Sequence, residues 1–134
     1  MRGSPPQSYE GIVPMAKNLF LVLTNPIEGQ DDAFNEWYDS RHVPEVLALP
    51  GVVAAQRYVI SEVKVAEEEL PAPLPPPSHR YLVVYELDRE PDQVMAEWLN
   101  AVVAGTLTLG ETLDLSTVSV SGWTPHGERR RAGD

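Results

Sequence analysis

Four segments of the chain have the hydrophobic spacing of β-strands. The first is a continuous apolar run, which is typical of a buried strand. The others alternate between two kinds of residue, the two-residue period of a strand with unlike faces. In the second segment this alternation puts Tyr58 on the same face as Val52 and Arg57 on the opposite face. The predicted strands are residues 17–24, 52–61, 79–88 and 115–124.

Residues 32–49 have the three- and four-residue spacing of an amphipathic helix. One side of this helix carries aromatic rings, an imidazole and an arginine, where simple core packing would favour Leu and Ala. Pro44 has no backbone N–H, so we expect the helix to kink or restart just after His42. The alternative is that Pro44 begins a second short helix. The side chains on this side are Phe34, Trp37, Tyr38, Arg41, His42 and Glu45.

A second helix is predicted for residues 91–104, which carry an apolar stripe at helical spacing. The element order is then β-α-β-β-α-β. With right-handed crossovers, this order predicts an α+β, ferredoxin-like fold with a four-stranded antiparallel sheet and both helices on one face. The other face keeps apolar residues that these helices do not cover, so we expect a homodimer packed sheet against sheet. The stripe consists of Val94, Met95, Trp98, Leu99 and Val102.

The segments between and beyond these elements set the domain boundaries. Residues 1–16 are rich in proline and glycine without a period, and we expect a flexible N-terminal arm. Residues 17–125 form a single domain, and residues 126–134 a C-terminal tail. Within the domain, residues 62–78 contain five prolines and an acidic run, which predicts a mobile, polyproline-like surface loop. A loop of this length can instead be functional, for instance a lid.

Composition narrows the possible partners. The 134 residues carry a net charge of -10, with an isoelectric point near 4.6. Nucleic acid and anionic membranes need a positive surface, so neither is an expected partner. The chain has no cysteine, which excludes disulfides and thiolate chemistry. No apolar run is long enough for a signal or membrane helix, and we expect a cytoplasmic protein.

One long motif resembles a known superfamily. The segment Trp37-Tyr-Asp-Ser-Arg-His-Val-Pro-Glu-Val-Leu-Ala-Leu-Pro-Gly51, the Arg57-Tyr58 strand and Tyr81-Leu-Val-Val-Tyr-Glu-Leu87 are similar to the dimeric α+β barrel superfamily, and within it to the EthD-like (ethyl tert-butyl ether degradation) branch. The resemblance implies two sheets that close into an α+β barrel. The superfamily includes cofactor-free monooxygenases, polyketide cyclases, dehydratases, isomerases and haem enzymes. Many members have a first-helix histidine facing a pocket between sheet and helices, by position His42.

The residues themselves indicate proton-transfer chemistry on a hydrophobic, oxygenated ligand. An imidazole titrates near neutral pH and moves a proton in either direction. Tyrosines on a sheet face offer apolar area with polar tips, which suits an aromatic or polyketide-like molecule. Cross-strand packing is the alternative role for the strand tyrosines. The predicted catalytic residues are His42, Tyr38 and Tyr85, and the predicted substrate-binding residues are Phe34, Trp37, Tyr58 and Tyr81.

The expected function is a cofactor-independent enzyme of the cyclase, dehydratase, isomerase or lyase type. The alternatives are a cofactorless monooxygenase acting on a phenol and a non-catalytic binding dimer. Asp39 or Glu45 is placed to orient the ring of His42, unless these carboxylates face solvent or pair with Arg41. The three histidines are far apart in sequence, so no metal site is predicted. A single histidine is enough to ligate haem, which the sequence leaves open.

Overall fold

The computed structural model describes residues 17–133, and the predicted arm of residues 1–16 lies outside this range. The described chain forms one antiparallel sheet and a set of helices, which confirms the predicted α+β class. The strands are β1 (Asn18–Thr24), β2 (Val52–Val59), β3 (Tyr81–Leu87) and β4 (Ser119–Trp123), and the helices are α1 (Asp31–Trp37), α2 (Val43–Leu47) and α3 (Pro91–Ala104).

The strand order across the sheet is β2-β3-β1-β4, with every neighbouring pair antiparallel. This order is compatible with a ferredoxin-like fold, in which β1 and β3 occupy the centre. The two central strands pair along their full lengths, from Asn18 opposite Leu87 to Thr24 opposite Tyr81. The inward side chains of β1 and β3 are therefore the best covered positions of the sheet.

The first predicted helix is interrupted by a π-helical turn at Tyr38–His42, between α1 and α2. The backbone N–H of Val43 donates to the carbonyl of Tyr38, five residues earlier. Pro44 lies in the first turn of α2, where its missing N–H is best tolerated. The predicted break after His42 and the predicted restart at Pro44 thus describe the same feature. Such π-helical turns are frequent at functional sites.

A β-bulge near the start of β2 corrects the predicted alternation of that strand. The pairing register shifts between Val52 and Ala54, so one extra residue is inserted there. Val52 pairs with Leu87 and is buried, while Arg57 pairs with Val83 on the same inner face. Val52 and Tyr58 are therefore on opposite faces. Arg57 and Tyr58 still lie on opposite faces, as predicted, because both residues follow the bulge.

The core lies between the helices and the inner face of the sheet. Tyr81, Val83, Tyr85 and Leu87 share this face as predicted, and the last three are buried. The opposite face is only partly covered. Its aliphatic side chains on β1 and β3 are half-buried, whereas Glu86 of β3, Tyr58 of β2 and Trp123 of β4 are exposed. This outer face consists of Leu19, Leu21, Leu23, Leu82, Val84, Tyr58 and Trp123, together with polar and small residues.

Helix α3 has the predicted bounds and a modified stripe. Glu90 caps it through a reciprocal capping box with Gln93, and Gly105 ends it with a left-handed φ of 79°. Val94, Trp98 and Ala101 are its buried residues, whereas the predicted stripe member Leu99 is exposed. The stripe is thus rotated toward Ala101, because the buried Trp98 fills the space above the sheet.

The last strand begins later than the sequence predicts. Residues 115–117 form a short 3₁₀ turn, since the carboxylate of Asp114 accepts a hydrogen bond from the backbone N–H of Ser116. Strand β4 consequently begins only at Ser119. Residues 62–78 are exposed apart from half-buried Leu70 and contain one 3₁₀ turn, Glu67–Glu69. Residues 124–133 contain neither helix nor strand.

Candidate functional site

The imidazole of His42 is enclosed by aromatic rings beneath the π-helical turn. Its ring stacks on Trp37 with centroids 4.6 Å apart and an interplanar angle of 25°. Tyr38 and Trp98 meet it edge-on, at centroid distances of 5.0 and 6.2 Å. Only 3% of His42 is exposed to solvent. A polar ring in such surroundings loses most of the hydration that would stabilise its charged form.

Burial accordingly lowers the pKa of His42 from 6.5 to about 4. The Glu45 carboxylate and the backbone of Thr108 act in the opposite direction, and the positive charge of Arg57 lowers the value further. The imidazole is therefore neutral at physiological pH. In that state it accepts a proton rather than donating one.

Of the two tyrosines in the predicted catalytic set, Tyr38 contacts this ring directly, and Tyr85 reaches it through Trp98. Burial raises the pKa of Tyr85 and that of Tyr38. The hydroxyl of Thr24 partly offsets the increase for Tyr38 through a hydrogen bond, and the Arg57 charge partly offsets both increases. The ring of Tyr85 meets Trp98 edge-on at 5.7 Å, and Tyr38 lies in the T-shaped contact with His42. Both phenols keep their protons at neutral pH. Each is therefore a hydrogen-bond donor in the interior of the domain.

Several polar atoms of this region have no hydrogen-bond partner. They are His42 Nδ1, Tyr85 OH and Arg57 Nε, all shielded from solvent. Leaving one buried donor or acceptor unpaired costs about 1–3 kcal/mol in typical proteins. Native structures pair the large majority of such atoms, so a group of them needs an explanation. A ligand that supplies the missing partners is one explanation.

Arg57 belongs to the candidate site and is absent from the residues that the sequence predicted for it. Its guanidinium carbon lies 4.6 Å from the ring centroid of Tyr38 and less than 6 Å from those of Phe34 and Tyr81. The guanidinium donates to Asp39 and to the side-chain carbonyl of Asn35, each at 2.8 Å. The sequence separates Arg57 from Tyr58 but does not show which of the two faces the core, so the only signal was a lone arginine within an apolar strand, which is costly to bury.

A hydrogen-bond network extends from Arg57 to the start of β3. The Asn35 amide donates to the hydroxyl of Tyr81 at 3.2 Å, and that hydroxyl donates to Asp31 at 3.0 Å. Arg80 completes the network through a bidentate contact with Asp31. These contacts hold the pKa of Asp31 below its usual value, with Arg80 as the main cause. The network fixes the position of Arg57 from outside the core.

Neither predicted carboxylate hydrogen-bonds to His42. Asp39 pairs with Arg57, whereas Glu45 pairs with Arg41 at 3.3 Å, which is the alternative that the sequence left open. Glu45 also accepts from the backbone N–H of Thr108 at 3.2 Å. It therefore ties α2 to the loop that follows α3, residues 105–114.

The loop of residues 105–114 closes the site on the helix side. Its own side chains Leu107 and Leu113 are buried, and a Cβ on Gly110 would lie 2.5 Å from the Trp37 ring. Between α2 and α3, beside this loop, a cavity of about 490 Å³ is open to solvent. It is lined by Pro44, Glu45, Ala48, Leu49, Ala101 and Thr106.

The structure brings together six of the seven predicted site residues. Direct ring contacts join Phe34, Trp37, Tyr38, His42 and Tyr81. Tyr85 is linked to this group through Trp98, which contacts both Tyr85 and His42. Tyr58 is the exception, because the structure places it on the other face of the sheet. Its side chain points to the outer face, is 52% exposed, and lines a separate cavity of about 570 Å³ with Leu23 and Leu82.

No group of three or more His, Cys, Asp or Glu side chains within residues 17–133 is arranged to hold a metal ion. In the same range, no helix combines the length and the apolar character needed to cross a membrane. Comparisons with models of known families, with curated proteins and with solved structures found no match to this chain. The geometry of the site is therefore the basis from which a function can be inferred.

Proposed function

We propose that this protein is a cofactor-independent enzyme that performs general acid/base chemistry on a hydrophobic, oxygenated small molecule, aromatic or polyketide-like in character. The observation that carries the proposal is the group of unpartnered polar atoms on His42, Tyr85 and Arg57. Each lies near Tyr38 or Trp98, inside an otherwise aromatic environment. A flat, apolar ligand with carbonyl or phenol oxygens satisfies these atoms while keeping the ring contacts.

In this proposal His42 is the base and a tyrosine hydroxyl is the oxygen-binding group. The neutral imidazole takes a proton from an activated C–H or from a phenol. The electron pair of the broken bond moves onto the substrate oxygen, where the O–H of Tyr85 or Tyr38 stabilises the growing negative charge. That charge favours the imidazolium, which then returns the proton to a new position or to a leaving group. Isomerisation, dehydration and cyclisation all follow this sequence of steps.

A substrate can enter only if some of the residues that shield the site from solvent move. His42, Tyr38 and Tyr85 are each at most 3% exposed, so no ligand reaches them while the domain is closed. Among the shielding segments, the loop of residues 105–114 lacks helix or strand along most of its length. Two hydrogen bonds from Thr108 to Glu45 hold this loop to α2. We propose that this loop opens at the cavity between α2 and α3.

We further propose that the working form is a cytoplasmic homodimer that buries the outer sheet face. Five half-buried aliphatic side chains lie at the centre of that face, with Tyr58 and Trp123 toward its edges. A contiguous apolar surface of this kind is uncommon on a monomer. A second copy of the chain presents the same surface and covers it, in agreement with the superfamily that the motif resembles.

The test of the catalytic proposal is proton exchange on a probe substrate. The probe is 1-phenylbutane-1,3-dione, whose acidic C–H is replaced by deuterium in heavy water in a reaction followed by NMR. Wild type is expected to accelerate the exchange, and His42→Gln to lose about 10²–10⁴-fold of that acceleration, because an amide cannot cycle a proton. The matched control is His126→Gln, which removes an exposed histidine of the tail.

Two results would count against this role. Equal acceleration by wild type and His42→Gln would move the base elsewhere. Saturable binding of the probe without any acceleration would support the binding dimer in place of the enzyme.

A further inference from the structure

Arg57 is held more firmly than packing alone requires. One Nη donates to Asp39 and the other to Asn35, and the flat guanidinium lies over the ring of Tyr38. Asn35 is itself fixed by the hydroxyl of Tyr81. With two of its three nitrogens engaged, the orientation of the planar group is determined.

The third nitrogen, Nε, is the only one left without a partner. It is shielded from solvent, whereas the Asp39 carboxylate that balances the charge is 67% exposed. Solvent screens the exposed carboxylate more strongly than the arginine, whose side chain is 18% exposed. A net positive potential therefore remains on the inner side of Arg57.

The strand register directs this potential at the candidate catalytic groups. Arg57 pairs with Val83 and Tyr85 pairs with Ala55, so Arg57 and Tyr85 are diagonal neighbours on the inner face. Diagonal neighbours lie about 7–8 Å apart at Cα, within reach of long side chains. In the same arrangement the charge of Arg57 lowers the pKa of His42, Tyr38 and Tyr85, opposing the increases that burial causes in the two tyrosines.

We propose that Arg57 is the specificity-determining residue of the site, and that its buried Nε–H together with the Tyr85 hydroxyl holds the oxyanion of an acidic phenol or enol. The ligand is then bound as its anion, with the negative charge delocalised over a flat apolar frame. This inference rests on the proposed function, since it assigns the substrate class of the same site. It also explains why a neutral imidazole suffices there, because the cationic partner of the anion is the arginine.

The test compares an ionisable probe with a neutral one of the same shape. The probes are 4-nitrophenol, whose absorbance distinguishes phenol from phenolate, and nitrobenzene, which carries no charge. Wild type is expected to bind 4-nitrophenol as phenolate, with the pKa of the bound probe below that of the free one. Arg57→Met is expected to weaken phenolate binding by roughly 10- to 100-fold, the effect of one charge-assisted hydrogen bond. Nitrobenzene binding stays unchanged.

Three further variants make the result specific. Arg89→Met removes an exposed arginine that pairs with Asp88, outside the network around Arg57, and is expected to leave the phenolate preference intact. Arg57→Lys keeps a positive charge without the Nε–H, and its phenolate affinity is expected to fall even if Arg57→Met does not fold. His42→Gln retains the preference, because the base does not hold the oxyanion.

The outcomes separate the two proposals. Loss of phenolate binding with unchanged nitrobenzene binding supports the assignment of Arg57. Equal losses for both probes, or wild-type phenolate affinity in Arg57→Lys, would overturn it and leave Arg57 with a packing role. Absence of binding of either probe to wild type would contradict the proposed function and this inference together.

Discussion

The buried imidazole of His42 predicts a pH-dependent stability that is independent of any ligand. Folding lowers its pKa from 6.5 to about 4, because the imidazolium loses its hydration in the aromatic enclosure. Between these two values the unfolded chain binds more protons than the folded chain. The free energy of unfolding therefore decreases as the pH falls through this window, and the contribution of His42 is fully present only above it.

The size of the effect follows from the two pKa values. For a group that titrates at 6.5 when unfolded and near 4 when folded, linkage gives a loss of about 2 kcal/mol between about pH 7.5 and about pH 5. Glu45 and Asp31 have lowered pKa values, so their contributions are lost only as the pH falls through and below their ordinary values of 4.5 and 3.8. Measurements at about pH 5 and above therefore report mainly on His42.

Urea unfolding of wild type and His42→Gln across this range is the assay. Glutamine keeps the polar character of the side chain but does not titrate, so this part of the pH dependence should disappear in the variant. His126→Gln serves as the matched control, because it removes a histidine that is exposed in the tail. An unchanged slope in His42→Gln would refute the reasoning, since another group would then have to carry the protons.

Two further predictions concern assembly and the proline-rich loop. Sedimentation should show a dimer at micromolar concentration. Leu21→Glu should give folded monomers, because a charge at the centre of the outer face cannot be buried against a second copy. A wild-type monomer would contradict the proposal. Replacing residues 66–77 by a short Gly-Ser bridge should change the melting temperature by less than about 5 °C, since nearly all of these residues are exposed. Loss of the fold would show that the loop is a packed element, whereas loss of probe exchange with the fold intact would identify it as a lid.

Most of the secondary structure could be predicted because local patterns are strong in this chain. Helix α3 has the predicted bounds, Pro91–Ala104, since a capping box begins it and a glycine with positive φ ends it. The start of β4 was misplaced because Asp114 caps a 3₁₀ turn that uses the same Ser/Thr-rich residues as the predicted strand. The bulge in β2 was missed for a similar reason, because a run of Val and Ala has no residue that marks the inserted position.

The sequence by itself determined the α+β class, the order of the elements, the break at Pro44 and the aromatic residues that neighbour His42 along the helix. These features depend on spacing within one helix or strand, which the chain specifies locally. Only the tertiary structure decided that Arg57 lies in the candidate site and that Tyr58 lies on the other face of the sheet. Strand alternation separates two such neighbours, but packing against α1 and the π-helical turn decides which face becomes the core. Burial likewise decided the protonation of His42, because solvation depends on every element that surrounds the ring.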